Sequence, residues 1–363
     1  GTVMILFLGA AFEDLVWSFQ IGYFGSIAGG LGALVALDRD DRKGDIIASI
    51  LLLVSVTFSS LALPFIAGAW AEWYLNPRPR RDRLFMPLVS TVFYALWWLG
   101  WGHDAESSLS FANLVDSPRY MFEAASAGFT SLFGLATGDG SEPSQPHLIW
   151  GRIMLVAFVT LGWWRVRKAG FGRGLAVVLV IGLSSLFLTA LNHNDLRPPT
   201  SSRYQLATSI FILLIAAELL RGVKFKPAVL AVGAVVAALS ISGGISLMRD
   251  QVDARWAPNS ENTKASLAAL TIAGDSMSPE FRIDLGLEEP IPRSDYLKSI
   301  EDHGRLGYGE SELEGKDPAI GTAVDSTLMT ALGLQLTATG EATGTPQCRD
   351  VRPATTATQP LSI

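Results

Sequence analysis

The sequence predicts an all-α polytopic membrane protein with a small extracytoplasmic C-terminal region. Apolar residues make up 49% of the 363 residues and charged residues only 17%, against roughly 25% charged residues in soluble domains. Long apolar runs recur within residues 1–248, whereas residues 249–363 are rich in Asp, Glu, Ser, Thr and Pro. We therefore expect about eight transmembrane or hairpin helices in the first region and ordinary aqueous sequence in the second.

The two ends of the chain and its few Cys and His residues indicate which segments we expect to be missing and which kinds of site are excluded. The chain begins at Gly1 without a methionine and ends in PATTATQPLSI, so we expect a piece of a longer protein that lacks its N-terminal helices and is truncated at its C-terminus. One cysteine excludes a disulfide framework and any cysteine-based zinc site. The four histidines have no metal-ligand spacing, and the sequence therefore predicts no metal site.

The apolar runs predict the spans, because a helix needs roughly 20 residues to cross the hydrocarbon. The predicted spans are residues 17–37, 84–101, 148–164, 175–191, 202–220 and 227–247. In the first of them, Gly25, Gly29 and Gly32 form a small-residue face that would let a neighbouring helix approach closely. Glu72 and Glu218 lie near basic ends of helices, and we expect them to pair with neighbouring arginines.

For two stretches, the sequence allows more than one helical arrangement. Residues 46–75 are too long for one span, and a break in the sequence SSLALP around Pro64 predicts a hairpin of two short helices, with a single tilted helix as the alternative. Ser117 and Pro118 form a good helix start for residues 119–136. That small-residue helix either spans the membrane or re-enters it and lies against the bundle.

The distribution of basic residues predicts the orientation, since Lys and Arg concentrate on the cytoplasmic side. Basic clusters that join the predicted spans lie at residues 39–43, 78–83, 165–173 and 221–226. Placing all of them in the cytoplasm makes residues 46–75 a hairpin, favours the re-entrant form of residues 119–136, and puts the C-terminal region outside. We therefore expect a multi-pass protein of the plasma membrane.

The strongest candidates for a functional site are Arg203 and Tyr204, which open the span at residues 202–220. An ionisable residue at membrane depth is a functional hypothesis by default, because burying it is costly. A guanidinium there can hold a phosphate bidentately, and the phenol can hydrogen-bond a headgroup or a sugar. The alternative is an interfacial anchor, since Arg and Tyr are common at membrane surfaces.

Further polar side chains lie at the same predicted outer surface. Glu13 and Asp14 precede the first full span, and Gln20 lies about two turns beyond Glu13. The carboxylate pair can act as a general base or hold a divalent cation, although acids at a helix start are also typical solvated groups. His193 and Asp195 form a polar cluster in the loop before residue 202 and can bind substrate.

The stretch SSRYQLATSIFILLIAAELL resembles the late helix of integral-membrane GT-C glycosyltransferases, in which an Arg-Tyr pair opens a span on the external side. The stretches EDLVWSFQIGYFGSIAGGLGALVALDRDD, SLAALTIAGDSMSPEF and DYLKSIEDHG are similar to a group of actinobacterial multi-pass proteins with that architecture. Such enzymes move a sugar from a polyprenyl-phosphate carrier to an acceptor outside the cytoplasm, often with a divalent metal. The resemblance implies that Arg203 contacts the carrier phosphate and that Tyr204 lines the same mouth. The family's catalytic acid lies in the first external loop, within the region that we expect before Gly1.

Two other functions stay open at this point. A transporter or flippase of a lipid or envelope glycan would carry paired broken helices and charges at mid-membrane, and a non-catalytic scaffold would bind a partner through the C-terminal region. No nucleotide-binding or kinase motif occurs in a supporting context. Nucleic acid is not expected as a partner, because the net charge is -6 and no basic face lies in the aqueous region.

Overall fold

The chain folds into two units, residues 1–259 and residues 260–363. The computed structural model describes residues 2–17, 20–104, 108–137, 145–194, 197–283, 290–305 and 307–334. Both units are α-helical. Their only strands within the described residues are two antiparallel pairs of two residues each.

The first unit is a helical bundle. Its helices are α1 (Thr2–Leu6), α2 (Phe12–Val16), α3 (Ile21–Leu37), α4 (Arg42–Phe58), α5 (Ala62–Leu75), α6 (Arg80–Arg83), α7 (Phe85–Gly100), α8 (Phe111–Leu132), α9 (Leu148–Ala169), α10 (Arg173–Leu191), α11 (Ser202–Leu219) and α12 (Pro227–Gln251). A 3-10 turn at Gly9–Ala11 leads into α2, and a π-helical turn at Val252–Trp256 follows α12. Strands β1 (Ala136–Thr137) and β2 (Gln145–Pro146) pair between α8 and α9.

The bundle is that of an α-helical membrane protein. Within the described residues, four helical runs are long and apolar enough to cross a membrane: α9, α10, α11 and the run that begins with α12. The segments Gly9–Val16 and Ile21–Leu37, bent by 104°, make a fifth if they count as one broken span. The structure does not confirm the predicted count of about eight, because α4, α5 and α7 have 17, 14 and 16 residues, fewer than the roughly 20 that a span needs.

Residues 46–75 form a hairpin, as predicted, and the single tilted helix is wrong. Helix α4 ends at Phe58 and α5 begins at Ala62. The start of α4 and the end of α5 meet, because Asp45 and Glu72 both bind Arg83. Pro64 lies in the first turn of α5, where a missing N–H group leaves no helical hydrogen bond unmade.

A buried ion network holds the two ends of this hairpin to the rest of the bundle. Arg83 and Asp45 are each only 2% exposed, and their side chains meet at 2.9 Å. Glu72 forms salt bridges with Arg83 at 3.5 Å and with Arg173 at 3.3 Å. Glu218 pairs with Arg221 at 3.5 Å, so both glutamates have the arginine partners that the sequence predicts.

Helix α8 begins seven residues earlier than Ser117–Pro118 indicates. Ser110 caps it by accepting a hydrogen bond from the Asn113 amide at 3.0 Å, and the predicted start at Ser117 is wrong. Pro118 lies inside the helix, where the Ser117 hydroxyl donates to the Asn113 carbonyl at 2.7 Å. Helix α8 contacts the end of α10 at one end, and Gly134, just beyond its other end, contacts Ser240 of α12. Whether α8 spans the membrane or re-enters it stays a prediction.

The small-residue face of α3 packs against α4, as predicted. A Cβ atom added at Gly29 would lie 2.9 Å from the Ser55 side chain, and one at Gly32 would lie 3.1 Å from Leu51. The Ser55 hydroxyl donates to the Ser26 carbonyl at 2.6 Å across the same contact. Small residues therefore bring the two helices close enough for an interhelical hydrogen bond.

A second close approach makes a testable prediction about stability. A methyl group at Gly244 in α12 would overlap the carbonyl oxygen of Phe7. We expect Gly244→Ala to lower the free energy of unfolding by about 1–3 kcal/mol, because the backbones must separate. Gly233 lies in the same helix, and a Cβ atom there meets nothing within 4 Å, so Gly233→Ala should be neutral or stabilise slightly. Thermal unfolding in detergent checks both variants, and equal destabilisation would contradict this contact.

The second unit is a small helical unit with its own apolar core. Its elements are α13 (Ala257–Ala273), β3 (Arg282–Ile283), β4 (Ile291–Pro292), α14 (Arg293–His303), α15 (Glu310–Leu313) and α16 (Pro318–Ala331). The fully buried Leu270, Met277 and Ile283 pack with Tyr296 and Ala331. The Tyr296 hydroxyl donates to the Leu267 carbonyl at 2.9 Å, so the only polar group of that cluster is satisfied.

Glu261 on the surface of this unit gives a pH prediction. Hydrogen bonds from Tyr308 and Lys264, together with Lys316, lower the pKa of Glu261 from 4.5 to about 2. A carboxylate whose pKa is lower in the folded protein adds stability above pH 4.5 and loses it as the pH falls toward 2. We expect carboxyl-carbon NMR of Glu261 to show a midpoint below that of an ordinary glutamate, and Tyr308→Phe to move it upward. An unshifted midpoint in the unaltered protein would show that the cluster does not form.

Candidate functional site

The break between α2 and α3 meets the start of α11 at one end of the bundle. Trp17 ends α2 in an extended conformation, and the chain turns by 104° before α3 continues. The backbone N–H of Glu13 donates to the Ser202 hydroxyl at 3.3 Å. We call this place the mouth and define it by Glu13, Asp14, Gln20, Tyr23, Arg197, Arg203 and Tyr204.

Asp14 is the unusual group of the mouth. Its side chain is only 1% exposed, and neither carboxylate oxygen has a hydrogen-bond partner. The charges of Glu13 and Arg203 act on it, and the Leu206 backbone N–H lies near it but outside hydrogen-bond geometry. An isolated buried carboxylate costs several kcal/mol unless something compensates it. The burial also argues against the view that Asp14 is a solvated acid at a helix start.

Arg203 and Tyr204 lie half-buried at the first turn of α11. The Nε atom of Arg203 is buried and has no hydrogen-bond partner. Its charge acts on Asp14, Tyr23 and Tyr204. Arg203 therefore lies within electrostatic reach of these groups, and the interfacial-anchor alternative stays open.

Gln20 belongs to the same place, since it lies at the N-terminal end of α3. Its side chain is 3% exposed, and its carbonyl oxygen Oε1 has no partner. A buried acceptor without a partner is costly in a folded protein, and the mouth has two such groups, Gln20 and Asp14.

Three residues of this region were not among the predicted site residues. Tyr23 and Arg197 interact electrostatically with each other and with Arg203, and the hydroxyl of Tyr120 donates to the Arg197 carbonyl at 3.2 Å. Tyr23 follows Gln20 by three residues on a helix, a spacing that puts the two on one face. That spacing was the available signal for Tyr23, whereas Arg197 and Tyr120 come together only through folding.

His193 contacts residues on both sides of the loop that lies next to the mouth. Its Nδ1 lies 2.7 Å from the Ala190 carbonyl, its Nε2 lies 3.8 Å from Asp116, and its ring is 5.2 Å from that of Tyr120. Asn113 adds hydrogen bonds to the carbonyls of Leu191 and His193. Substrate binding by His193 stays a prediction, and Asp195 lies outside the described residues.

Among the described residues of the mouth, the carboxylates are those of Glu13 and Asp14. Within the part of the chain that the structure describes, no group of three His, Cys, Asp or Glu side chains is placed to hold a metal ion. Mg²⁺ is often held by one or two carboxylates together with substrate phosphates, so a divalent cation at Glu13 and Asp14 stays a prediction. We therefore assign no step to a metal.

Together, the side chains of the mouth supply a proton acceptor, cations and phenols. Asp14 can take a proton, Arg203 and Arg197 can neutralise an anion, and Tyr23 and Tyr204 can hydrogen-bond a polar group. A comparison of the chain with protein-family models, with curated proteins and with solved structures finds no match.

Proposed function

We propose that this protein is a GT-C-like membrane glycosyltransferase, which moves a sugar from a polyprenyl-phosphate carrier to an extracytoplasmic acceptor. The observation that carries the proposal is the buried Asp14 carboxylate, which has no hydrogen-bond partner and lies in the field of Arg203. Buried, uncompensated ionisable groups are concentrated at functional sites. The proposal includes the plasma membrane as the location and the outer face as the side on which the mouth opens.

In the proposed reaction, Asp14 is the general base. Its carboxylate removes the proton of the acceptor hydroxyl while the acceptor oxygen bonds to the anomeric carbon of the sugar. The bond between that carbon and the carrier phosphate oxygen breaks, and the phosphate leaves with the electron pair. Arg203 neutralises the charge that develops on the leaving phosphate, and the proton remains on Asp14 until it passes to water.

The positions of the phenols suit the sugar end of such a donor. Tyr204 follows Arg203 directly, and Tyr23 lies within the electrostatic reach of both Arg203 and Asp14. Phenol hydroxyls both donate and accept hydrogen bonds, as do the hydroxyls of a sugar. Gln20, with its free Oε1, adds a further acceptor for a sugar hydroxyl.

One observation favours transport as a second candidate function. The helix pair at the mouth is broken and bent by 104°, and broken helices with an acid at the break line the sites of many ion-coupled transporters. In that case Asp14 would carry a proton or a cation with the substrate. Transfer of a labelled sugar to an acceptor supports the enzyme, whereas uptake of an unmodified lipid or glycan driven by an ion gradient supports the transporter.

Binding of a polyprenyl phosphate to the purified protein tests the carrier half of the proposal. We expect Arg203→Ala to weaken binding about tenfold to a hundredfold, because a charge-assisted contact to phosphate is lost. Arg119→Ala is the matched control, since Arg119 is 76% exposed on α8 and pairs with Glu123. Equal weakening by both variants, or none by either, would reduce Arg203 to an interfacial anchor.

A further inference from the structure

The opposite end of the bundle carries a second polar depression. It lies where the turn between α9 and α10 meets the end of α11, and its volume is about 410 Å³. Arg165, Arg173, Glu218 and Arg221 line it, and we call it the basic cleft. Because α11 separates Arg203 from Arg221 by its whole length, the basic cleft is independent of the mouth.

The charge of the basic cleft is only partly compensated. Arg165 is held by the backbone carbonyls of Leu219 and Arg221, both at 3.1 Å, and pairs with no carboxylate among the described residues. Arg221 meets Glu218 at 3.5 Å, and its side chain is 67% exposed. The segments 165–174 and 218–226 together contain seven Lys or Arg residues and one acid, Glu218. An anion at this place is attracted mainly by Arg165 and Arg221, because Arg173 is already paired with Glu72 at 3.3 Å.

Two apolar clefts open from the basic cleft. The larger one, about 600 Å³, shares Arg165 and Leu219 with it and is lined by apolar residues such as Phe158, Ile212 and Val236. The other, about 370 Å³, shares Arg173, Glu218 and Arg221 with the basic cleft. Its walls are mostly apolar, with Leu31, Val177 and Leu214 among them, and they also include Asp38 and Glu72. The basic cleft therefore adjoins two clefts with mostly apolar walls. This arrangement is complementary to an anionic lipid, which has one charged headgroup and two acyl chains.

Tryptophans place the basic cleft at headgroup depth. Trp163 and Trp164 are 60% and 55% exposed just before the α9–α10 turn, and exposed tryptophans favour the membrane–water interface. The Lys168 ammonium lies 3.8 Å from the Trp164 ring centroid, and the Arg167 guanidinium lies 4.8 Å from that of Trp163. We therefore expect their cations to lie at the level of the lipid phosphates.

We propose that this end of the bundle binds an anionic diacyl phospholipid. The phosphate of the headgroup lies between Arg165 and Arg221 in the basic cleft, and the two acyl chains occupy the two apolar clefts. Basic depressions between membrane helices suit anionic headgroups, and apolar walls exclude a soluble anion as the preferred ligand. A zwitterionic lipid has the same chains but gains less from the uncompensated cations.

Lipid binding to the full-length purified protein, measured by native mass spectrometry, tests this site. We expect dioleoyl phosphatidylglycerol to bind more tightly than dioleoyl phosphatidylcholine, and Arg165→Gln or Arg221→Gln to weaken phosphatidylglycerol binding about fivefold each. Arg119→Gln, at the other end of the bundle, should leave it unchanged. Equal binding of the two lipids, or equal effects of the three variants, would overturn the proposal.

A variant in the larger apolar cleft tests the acyl-chain part without touching a charge. Gly233 lines that cleft, and a Cβ atom there meets nothing within 4 Å, so Gly233→Phe fills the cleft with little strain elsewhere. We expect it to weaken dioleoyl phosphatidylglycerol and to leave the short-chain dihexanoyl form unaffected. Inorganic phosphate should compete only weakly. If phosphate alone competes fully, or if both chain lengths respond equally, the site is a soluble-anion site and the proposal is wrong.

Discussion

Asparagine in place of Asp14 is expected to stabilise the folded protein. The carboxylate is 1% exposed and has no hydrogen-bond partner on either oxygen. Removing the charge while keeping the shape relieves the cost of burying it, so we expect Asp14→Asn to raise the free energy of unfolding by about 1–3 kcal/mol. Thermal unfolding of the purified protein in detergent measures the change. A loss of stability would show that Asp14 is a structural residue with partners in the folded state.

The same variant should be inactive, because asparagine cannot take the acceptor proton. We expect the rate of sugar transfer to fall by about 10²–10⁴-fold, the usual contribution of a general base. Glu13→Gln is the matched control, since Glu13 is the neighbouring acid and lies only partly buried. A gain in stability together with a loss of activity separates a functional acid from a structural one. Equal loss of activity in both variants would leave the pair rather than Asp14 alone as the base.

Replacing Arg83 is expected to cause the largest loss of stability. Its guanidinium holds Asp45 at 2.9 Å and Glu72 at 3.5 Å, and it is 2% exposed. Breaking a buried pair leaves uncompensated charges, so we expect Arg83→Met to lower the free energy of unfolding by about 3–5 kcal/mol. Thermal unfolding in detergent measures this loss.

Two further variants test whether the loss of stability in Arg83→Met comes from breaking a buried ion pair. Arg39→Met removes an arginine whose pair with Asp41 is exposed on both sides, and such a pair contributes about 0–1 kcal/mol. The double variant Arg83→Met with Asp45→Leu removes both charges of the closest pair and should be less destabilised than Arg83→Met alone. Similar losses for Arg39→Met and Arg83→Met would show that burial of the network contributes nothing.

The two buried aspartates illustrate what the sequence can and cannot predict. Asp45 lies in a run with basic residues on both flanks, so its arginine partners could be sought among nearby charges. Asp14 lies at the start of a helix, where solvated acids are common, and only packing of the α2–α3 break against α11 buries it. Local patterns therefore give the location of a charge along the chain but not its depth.

Features that depend on neighbouring residues were predicted best. The glycine face of α3 and the hairpin at residues 46–75 follow from short-range spacing, flank charges and a local break. The start of α8 failed because Ser110 and Ser117 are both good caps, and the choice between them depends on whether a helix tolerates Pro118. Arg197 and Tyr120 lie 77 positions apart and meet only in the folded bundle, so no local pattern connects them.

The most direct test of the mouth is transfer of a labelled sugar from a synthetic polyprenyl-phosphate donor by the protein reconstituted in liposomes. We expect transfer to an acceptor supplied on one side of the membrane, lost in Asp14→Asn and in Arg203→Ala but kept in Arg119→Ala. Transfer that survives Asp14→Asn would contradict the assignment of the base. Ion-driven uptake of the intact donor, with no transfer, would contradict the enzyme and assign the mouth to transport.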